Sequence, residues 1–267
     1  MIDYPGFDPV ALELGPLKVR WYGITYLIAF AAAWWLGRRR AAAPGSSWKP
    51  IDVDDFVFFC MLGVILGGRL GYTLFYGFDQ WMQDPLYLLR IWEGGMSFHG
   101  GLIGVLVALA VFAARRGRAV ADVFDFAAAL PGLGILAVRI GNFINGELWG
   151  RPTEVAWGMR VDGVVRHPTQ LYEAALEGLL LFIVLWWFTS RPRPRLAPSG
   201  LFLIMYAFGR LTVEFWRLPD QHIGYLFGGW FTMGHLLTLP MLIGGVVLLA
   251  LAYRNPQPSG NFARSAA

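Results

Sequence analysis

Apolar residues in this chain come in long runs, not in the alternation of a half-buried strand or the single stripe of a surface helix. Seven predominantly apolar runs stand out: Arg20–Leu36, Phe56–Phe75, Phe98–Ala114, Val123–Val138, Leu171–Phe188, Gly200–Phe215 and Phe231–Tyr253. At about 17–22 residues each is long enough to cross ~30 Å of hydrocarbon as a helix. Asp125 interrupts the fourth run, and Arg210 and Glu214 interrupt the sixth. No ladder of ~10-residue alternating segments appears, which argues against a barrel. The expectation is an all-α polytopic membrane protein with seven transmembrane helices. Between the fourth and fifth, Glu154 to His167 reads as a hairpin turning at Asp162-Gly163. It would form a small extracytoplasmic head of about 146–168 on a single domain of 1–255, with 256–267 as a disordered cytoplasmic tail.

Composition narrows the class. Of 267 residues, 56% are hydrophobic and only 15% charged, with 33 glycines besides. The mean hydropathy is +0.50. So much apolar surface excludes intrinsic disorder and could not be hidden inside one water-soluble globule. The net charge of +4 would raise the question of nucleic acid in a soluble protein, but here the cations cluster between apolar runs, so no nucleic-acid partner is expected. Arg38, Arg39, Arg40 and Lys49 follow the first run, Arg115, Arg116 and Arg118 the third, Arg191, Arg193 and Arg195 the fifth, and Arg254 and Arg264 the last. The positive-inside rule then puts the N-terminus outside and the C-terminus in the cytoplasm. The acidic, proline-containing stretch Met1–Leu17 has no basic n-region, so the first apolar run is expected to stay in the mature protein. The single cysteine, Cys60, permits no internal disulfide.

Ionisable groups inside apolar runs are costly and by default functional candidates. Arg139 and Asn142 share a helix face at the end of the fourth run, followed by Asn145, Gly146, Glu147 and Gly150. The glycines suggest a helix that unwinds and offers backbone N–H groups to an anion. Tyr206, Arg210 and Glu214 are each four apart on the sixth run, where Arg210 and Glu214 can pair. His99 stands among glycines in Gly94-Gly95-Met96-Ser97-Phe98-His99-Gly100-Gly101, and its ordinary pKa suits general-base work. Tyr22 and Tyr26 share a face of the first run. Asp125, Glu173 and Glu177 are border or intramembrane acids expected to neutralise arginines. Gly63, Gly67 and Gly71 recur every four residues, which suits close helix packing. Four histidines without ligand spacing predict no metal site. Residue chemistry alone reaches a lipid-phosphate site facing outward, catalytic or transporting, because guanidinium groups hold phosphate bidentately and offset charge on a leaving phosphate.

These motifs resemble a known family. Arg139-Ile-Gly-Asn-Phe-Ile-Asn-Gly-Glu-Leu-Trp-Gly150 is similar to the signature of bacterial prolipoprotein diacylglyceryl transferases. Ser97–Gly104, Arg20–Gly23, Arg166–Glu173, Gly200–Leu203 and Arg210–Phe215 match further stretches in the same order, from about Asp8 to Arg254. Arg20 departs from the pattern, standing where a well-known member has histidine. The resemblance implies transfer of the diacylglyceryl group of phosphatidylglycerol to the thiol of a lipobox cysteine in a preprolipoprotein signal peptide, with glycerol 1-phosphate released and no cofactor. It assigns the lipid phosphate to Arg139 and Arg210 and the headgroup pocket to Asn142, Glu147 and Gly150. His99 becomes the candidate base, supported by Tyr22, Tyr206 and Glu214. It implies the bacterial inner membrane, with the site toward the outer leaflet. A lipid transporter would need a polar path to the inner face, and a seven-span receptor shares only the span count.

Overall fold

The computed structural model describes residues 2–15, 17–219 and 224–262. In chain order these form β1 (Ile2–Asp3), β2 (Val10–Leu14), β3 (Leu17–Arg20), α1 (Trp21–Ala41), α2 (Pro50–Phe75), α3 (Phe78–Gln83), α4 (Phe98–Arg115), α5 (Val120–Ala128) and α6 (Gly132–Ile144). There follow β4 (Met159–Val161), β5 (Val164–Arg166), α7 (Thr169–Glu173), a π-helical segment Ala174–Leu180, α8 (Leu181–Phe188), α9 (Ala197–Glu214), β6 (Tyr225–Phe227), β7 (Phe231–Thr232) and α10 (Met233–Arg254). α4, the continuous segment Thr169–Phe188 and α10 are each long and apolar enough to cross a membrane. α5 and α6 together make a fourth such stretch, bent by 52°.

That bend corrects the fourth apolar run, which was expected as one helix over Val123–Val138. Pro131 has no N–H to donate and clashes with a continuing helix, so α5 ends before it and α6 starts after it. α6 then extends to Ile144, which makes Arg139 and Asn142 helical.

By its contacts the chain divides into two compact units, Met1–Ala33 with Asp125–Ser259, and Trp34–Phe124 with Gly260–Ala267. In the second unit α2 lies along α4. The close approach is written in glycine. A Cβ on Gly67 would stand 2.7 Å from the Gly104 Cα, one on Gly71 2.8 Å from the Gly100 Cα, and one on Gly63 2.9 Å from the Ala108 Cβ. The Gly63-Gly67-Gly71 stripe is therefore a packing surface. Ser97 caps α4 by accepting from the Gly100 N–H at 3.2 Å. Arg69 on α2 is buried and donates to the carbonyls of Leu88 (3.0 Å), Gly94 (2.6 Å) and Tyr87. It thereby fixes the loop that leads to His99. Trp48 stacks on Phe112 at 5.7 Å, with Phe56 edge-on to both.

The described end of the chain also belongs to this unit. Asn261 accepts from Trp48 Nε1 and donates to the Asp122 carbonyl, each at 2.8 Å, and Gly260 donates to Asp122 at 2.9 Å. The stretch expected to be disordered is thus held at 260–262, through partners more than 100 residues away in sequence. Residues 263–267 lie outside the described residues.

In the first unit α9 packs on α10 and α6 on the π segment. A Cβ on Gly178 would meet the Leu136 backbone at 2.8 Å, and one on Gly134 the Ala29 Cβ at 3.0 Å. Asp125 caps α9, accepting from the Leu196 N–H (2.7 Å) and the Ser199 hydroxyl (2.6 Å). The Asp162-Gly163 turn joins β4 to β5, with Val161 opposite Val164 and both turn residues at positive φ (49° and 79°). β1 adds to β4 in parallel, and β2 pairs with β3 antiparallel. Neither pairing is expected from the sequence pattern.

Substituting Gly67 with alanine should cost about 1–3 kcal/mol of stability by overpacking, read as a lower thermal midpoint in detergent. Gly244→Ala, where a Cβ meets nothing within 4 Å, should leave the midpoint unchanged.

Candidate active site

Three guanidinium groups and three carboxylates converge in the first unit. Glu173, at the end of α7, is completely buried. Its Oε1 accepts from Arg210 Nη1 at 2.7 Å and from Arg217 Nη1 at 2.6 Å, and its Oε2 lies 3.2 Å from Arg139 Nε. Glu177, one turn on in the π segment and equally buried, accepts from Arg139 Nη2 at 3.3 Å. Glu214 Oε2 lies 2.9 Å from Arg210 Nη2 and 3.2 Å from Arg217 Nε, while its Oε1 accepts from the Thr232 hydroxyl at 2.6 Å. Thr232 in turn caps α10 with His235. Gly234 is required here, because a Cβ would strike the Glu214 carboxylate.

Burial gives the cluster a direction. The carboxylate side chains are 0%, 0% and 5% exposed, against 20%, 18% and 16% for Arg139, Arg210 and Arg217. The acids form the floor, and each guanidinium group pairs with it while standing more exposed than the acids. Arg139 Nη1, Arg210 Nε and Arg217 Nη2 take no protein partner among the described residues. Isolated buried charges would cost several kcal/mol each, so the arrangement exists only because every charge is answered. Arginine suits it, since the planar fork holds a carboxylate with one edge and keeps donors free on the other. The Arg210–Glu214 pair read from the spacing is present, and Glu173 and Glu177 do neutralise arginines. Tyr206, one turn before Arg210, stacks on Phe202 at 6.1 Å and keeps its hydroxyl without a protein partner among the described residues.

The signature that follows α6 is held differently from its sequence reading. Asn142 is buried and donates to Glu147 Oε2 at 3.2 Å, and Asn145 donates to Glu147 Oε1 at 3.1 Å. The N–H groups of Asn145, Gly146, Glu147 and Gly150 go to the carbonyls of Gly141, Phe143, Asn142 and His167. The unwound turn therefore does not offer these N–H groups to an anion, because local carbonyls and, for Gly150, the His167 carbonyl already accept them. Gln170 and Thr169 hold the loop from behind, through the carbonyls of Glu147 and Leu148. Gly150 is a packing point, where a Cβ would lie 2.7 Å from Thr169 Cγ2 and 2.9 Å from His167 Cβ. Tyr22 shares a 3.3 Å hydrogen bond with Tyr26. His99 lies in the other unit, exposed in the first turn of α4 and edge-on to Phe98 at 5.6 Å.

A sequence model of the family described as prolipoprotein diacylglyceryl transferase matches residues 9–251. The chain belongs to that family. Among its relatives, the phosphatidylglycerol–prolipoprotein diacylglyceryl transferase of Oleidesulfovibrio alaskensis is 56% identical over 96% of this chain and 97% of its own length. The proteins of that name from Methylococcus capsulatus and Coxiella burnetii are 54% and 53% identical, over 95% and 96% of this chain and 98% and 100% of their own. Together with its apolar helices, membership marks a multi-pass membrane protein.

For this member of the family, the sequence pattern brings together Arg139, Arg210 and Glu214 but does not single out Arg217. The signal was present, since Arg217 follows Glu214 by three residues and Arg210 by seven, on one helical stripe. It is hard to read because Arg217 lies beyond the sixth apolar run. His167, bonded through Nδ1 to the Tyr172 hydroxyl at 3.0 Å, has its pKa lowered by burial and by the nearby Arg151 charge. A histidine held neutral in the fold but free to protonate when unfolded withdraws stability as pH falls below its ordinary value of about 6.5. The thermal midpoint should therefore drop on acidification through that range, and His167→Gln should flatten the drop.

Glu173→Gln should be the most damaging substitution in the cluster. Breaking a buried pair costs about 3–5 kcal/mol, so the variant should unfold at a distinctly lower temperature in detergent than Glu214→Gln, whose carboxylate pairs with two arginines rather than three.

Proposed function

We infer that this protein transfers the diacylglyceryl group of phosphatidylglycerol to the cysteine thiol of a prolipoprotein. The observation that carries the reading is the ion cluster, whose guanidinium donors are fixed from behind by buried acids and left free in front. Such donors are preorganised for a phosphate and lose nothing to reorganisation when charge develops on it. Full-length relatives at 50% identity or more bear the name of this reaction.

The chemistry follows from what each group can do. Arg139 and Arg210 hold the lipid phosphate, with Asn142, Glu147 and Tyr206 lining the headgroup side and Gly150 keeping the loop close. The family likeness assigns the proton of the lipobox cysteine to His99 and a supporting role to Tyr22. The sulfur forms a bond to the lipid glycerol carbon that carries the phosphate. The carbon–oxygen bond breaks, its electron pair stays on oxygen, and glycerol 1-phosphate leaves. Glu214 keeps Arg210 aligned throughout.

The membrane setting belongs to the same reading. α1, α2 and α9 cross the bilayer together with α4, the α5–α6 pair, the Thr169–Phe188 segment and α10, which makes seven spans in the bacterial inner membrane. The arginine clusters after α1, α4 and α8 lie in the cytoplasm with the C-terminus. The N-terminus, the head at about 146–168 and the mouth of the site lie outside, so phosphatidylglycerol and the signal peptide enter sideways from the outer leaflet.

Purified protein in phosphatidylglycerol vesicles should add a diacylglyceryl mass to a lipobox peptide, and none to the same peptide with serine for cysteine. Arg139→Ala should reduce this alkylation at least 100-fold while inserting normally. An Arg139→Ala protein with full activity would sink the assigned phosphate site.

A further inference from the structure

Arg139, Arg210 and Arg217 face Glu173, Glu177 and Glu214, so the cluster is electrically balanced before any lipid arrives. The reaction proposed above, on which this inference rests, does not leave the charge of the phosphorus group unchanged. Phosphatidylglycerol carries a phosphodiester monoanion. Once the carbon–oxygen bond breaks, the departing phosphate monoester is a dianion, and the thiol proton has gone to the base. A balanced floor can bind the monoanion, but the second negative charge calls for a cation that no carboxylate has already answered.

Among the described residues, Arg151 is such a cation. It follows Gly150 directly, and the bridge between Gly150 and Arg217 sets it against the chain just past α9. Its N–H donates to the Trp216 carbonyl at 2.8 Å and its Nε to the Arg217 carbonyl at 2.9 Å. The main chain of Arg217 thus carries Arg151 while the side chain of Arg217 is locked into Glu173 and Glu214. The Arg151 guanidinium lies over the Tyr225 ring at 5.2 Å. It has no carboxylate partner among the described residues, and its Nη2 is buried without a hydrogen bond. A buried unanswered donor is costly. The Arg217 carbonyl and the Tyr225 ring leave Nη2 unmet, whereas a bound oxyanion would satisfy it.

We propose that Arg151 binds the phosphate monoester dianion of the leaving glycerol 1-phosphate, taking up the charge that Arg139 and Arg210 do not offset. Arginine in this place can give two parallel N–H groups to two phosphate oxygens, which lysine cannot. The substrate diester, with one charge and two esterified oxygens, gains less from it.

The test compares wild type, Arg151→Gln, Arg151→Lys and, as a control, Arg160→Gln on the exposed strand β4. Peptide alkylation gives kcat and KM for phosphatidylglycerol, and added glycerol 1-phosphate gives the product inhibition constant. Arg151→Gln should lower kcat at least 10-fold and raise the inhibition constant at least 10-fold, with KM within about twofold. Arg151→Lys should fall between, and Arg160→Gln should match wild type. A raised KM with an unchanged inhibition constant would assign Arg151 to the diester substrate and overturn the proposal, as would no change in any constant. Equilibrium dialysis of radiolabelled glycerol 1-phosphate against the folded proteins needs no turnover. If wild type failed to alkylate the peptide, the transferase reading would fall, and dialysis would still decide whether Arg151 holds the phosphate monoester. Equal retention by wild type and Arg151→Gln would overturn that too.

Discussion

A single carboxylate in an apolar surround, that of Glu173, is the constraint on which the rest of the site depends. Three arginines from α6, from α9 and from the chain beyond α9 meet on it, so three separate parts of the chain are tied by one residue. Each of those charges would be costly to bury alone. None can be removed without stranding the others, and the cluster is therefore all-or-none in a way that a surface ion pair never is. What the cluster presents outward is a set of donors whose directions are fixed by folding. A ligand that arrives finds them already aimed.

The two units solve the packing problem of an apolar chain by different means. Between helices in lipid the hydrophobic effect offers little, so association relies on close van der Waals contact and on polar bonds. In the second unit, α2 and α4 approach backbone to backbone over Gly63, Gly67, Gly71, Gly100 and Gly104, with Arg69 sealing the loop through its carbonyls and the Tyr87 ring. In the first unit, glycines at 134, 178, 200 and 245 serve the same end, but the polar contribution is ionic and concentrated at one level. Stiffness is thus spread along one unit and focused in the other.

Much of this was legible in the sequence because it is local. Long apolar runs announce helices by length alone, the four-residue spacing of Gly63, Gly67 and Gly71 announces a contact face, and Arg210 and Glu214 announce a pair. What stayed hidden is non-local or masked. The break at Pro131 sits in a run whose hydropathy continues on both sides, so composition smoothed over what backbone chemistry forbids. The pairing of β1 with β4 joins residues about 157 positions apart, and two-residue strands carry no periodicity to read. The docking of Asn261 on Trp48 likewise spans most of the chain. Within the site, glycines at 146 and 150 were visible, but whether their neighbours' N–H groups point to an anion or to their own carbonyls is a matter of dihedral angles that residue type does not settle.

The π-helical segment Ala174–Leu180 carries a consequence for relatives of this chain. A π turn amounts to one extra residue accommodated within an otherwise α-helical segment. Everything after such a turn is rotated by roughly 100°, one residue's share of an α-helical turn, relative to what a plain helix would give. A homologue lacking one residue between 174 and 176 would keep a longer, more regular helix and an equally apolar composition. Its side chains on the far side of the deletion would nonetheless face elsewhere, and the partner of Arg139 at the Glu177 position would swing off the floor of the site. Length in this stretch is therefore under tighter constraint than the identity of most residues in it, and a gap opened there when relatives are compared marks a changed site, not a trimmed loop.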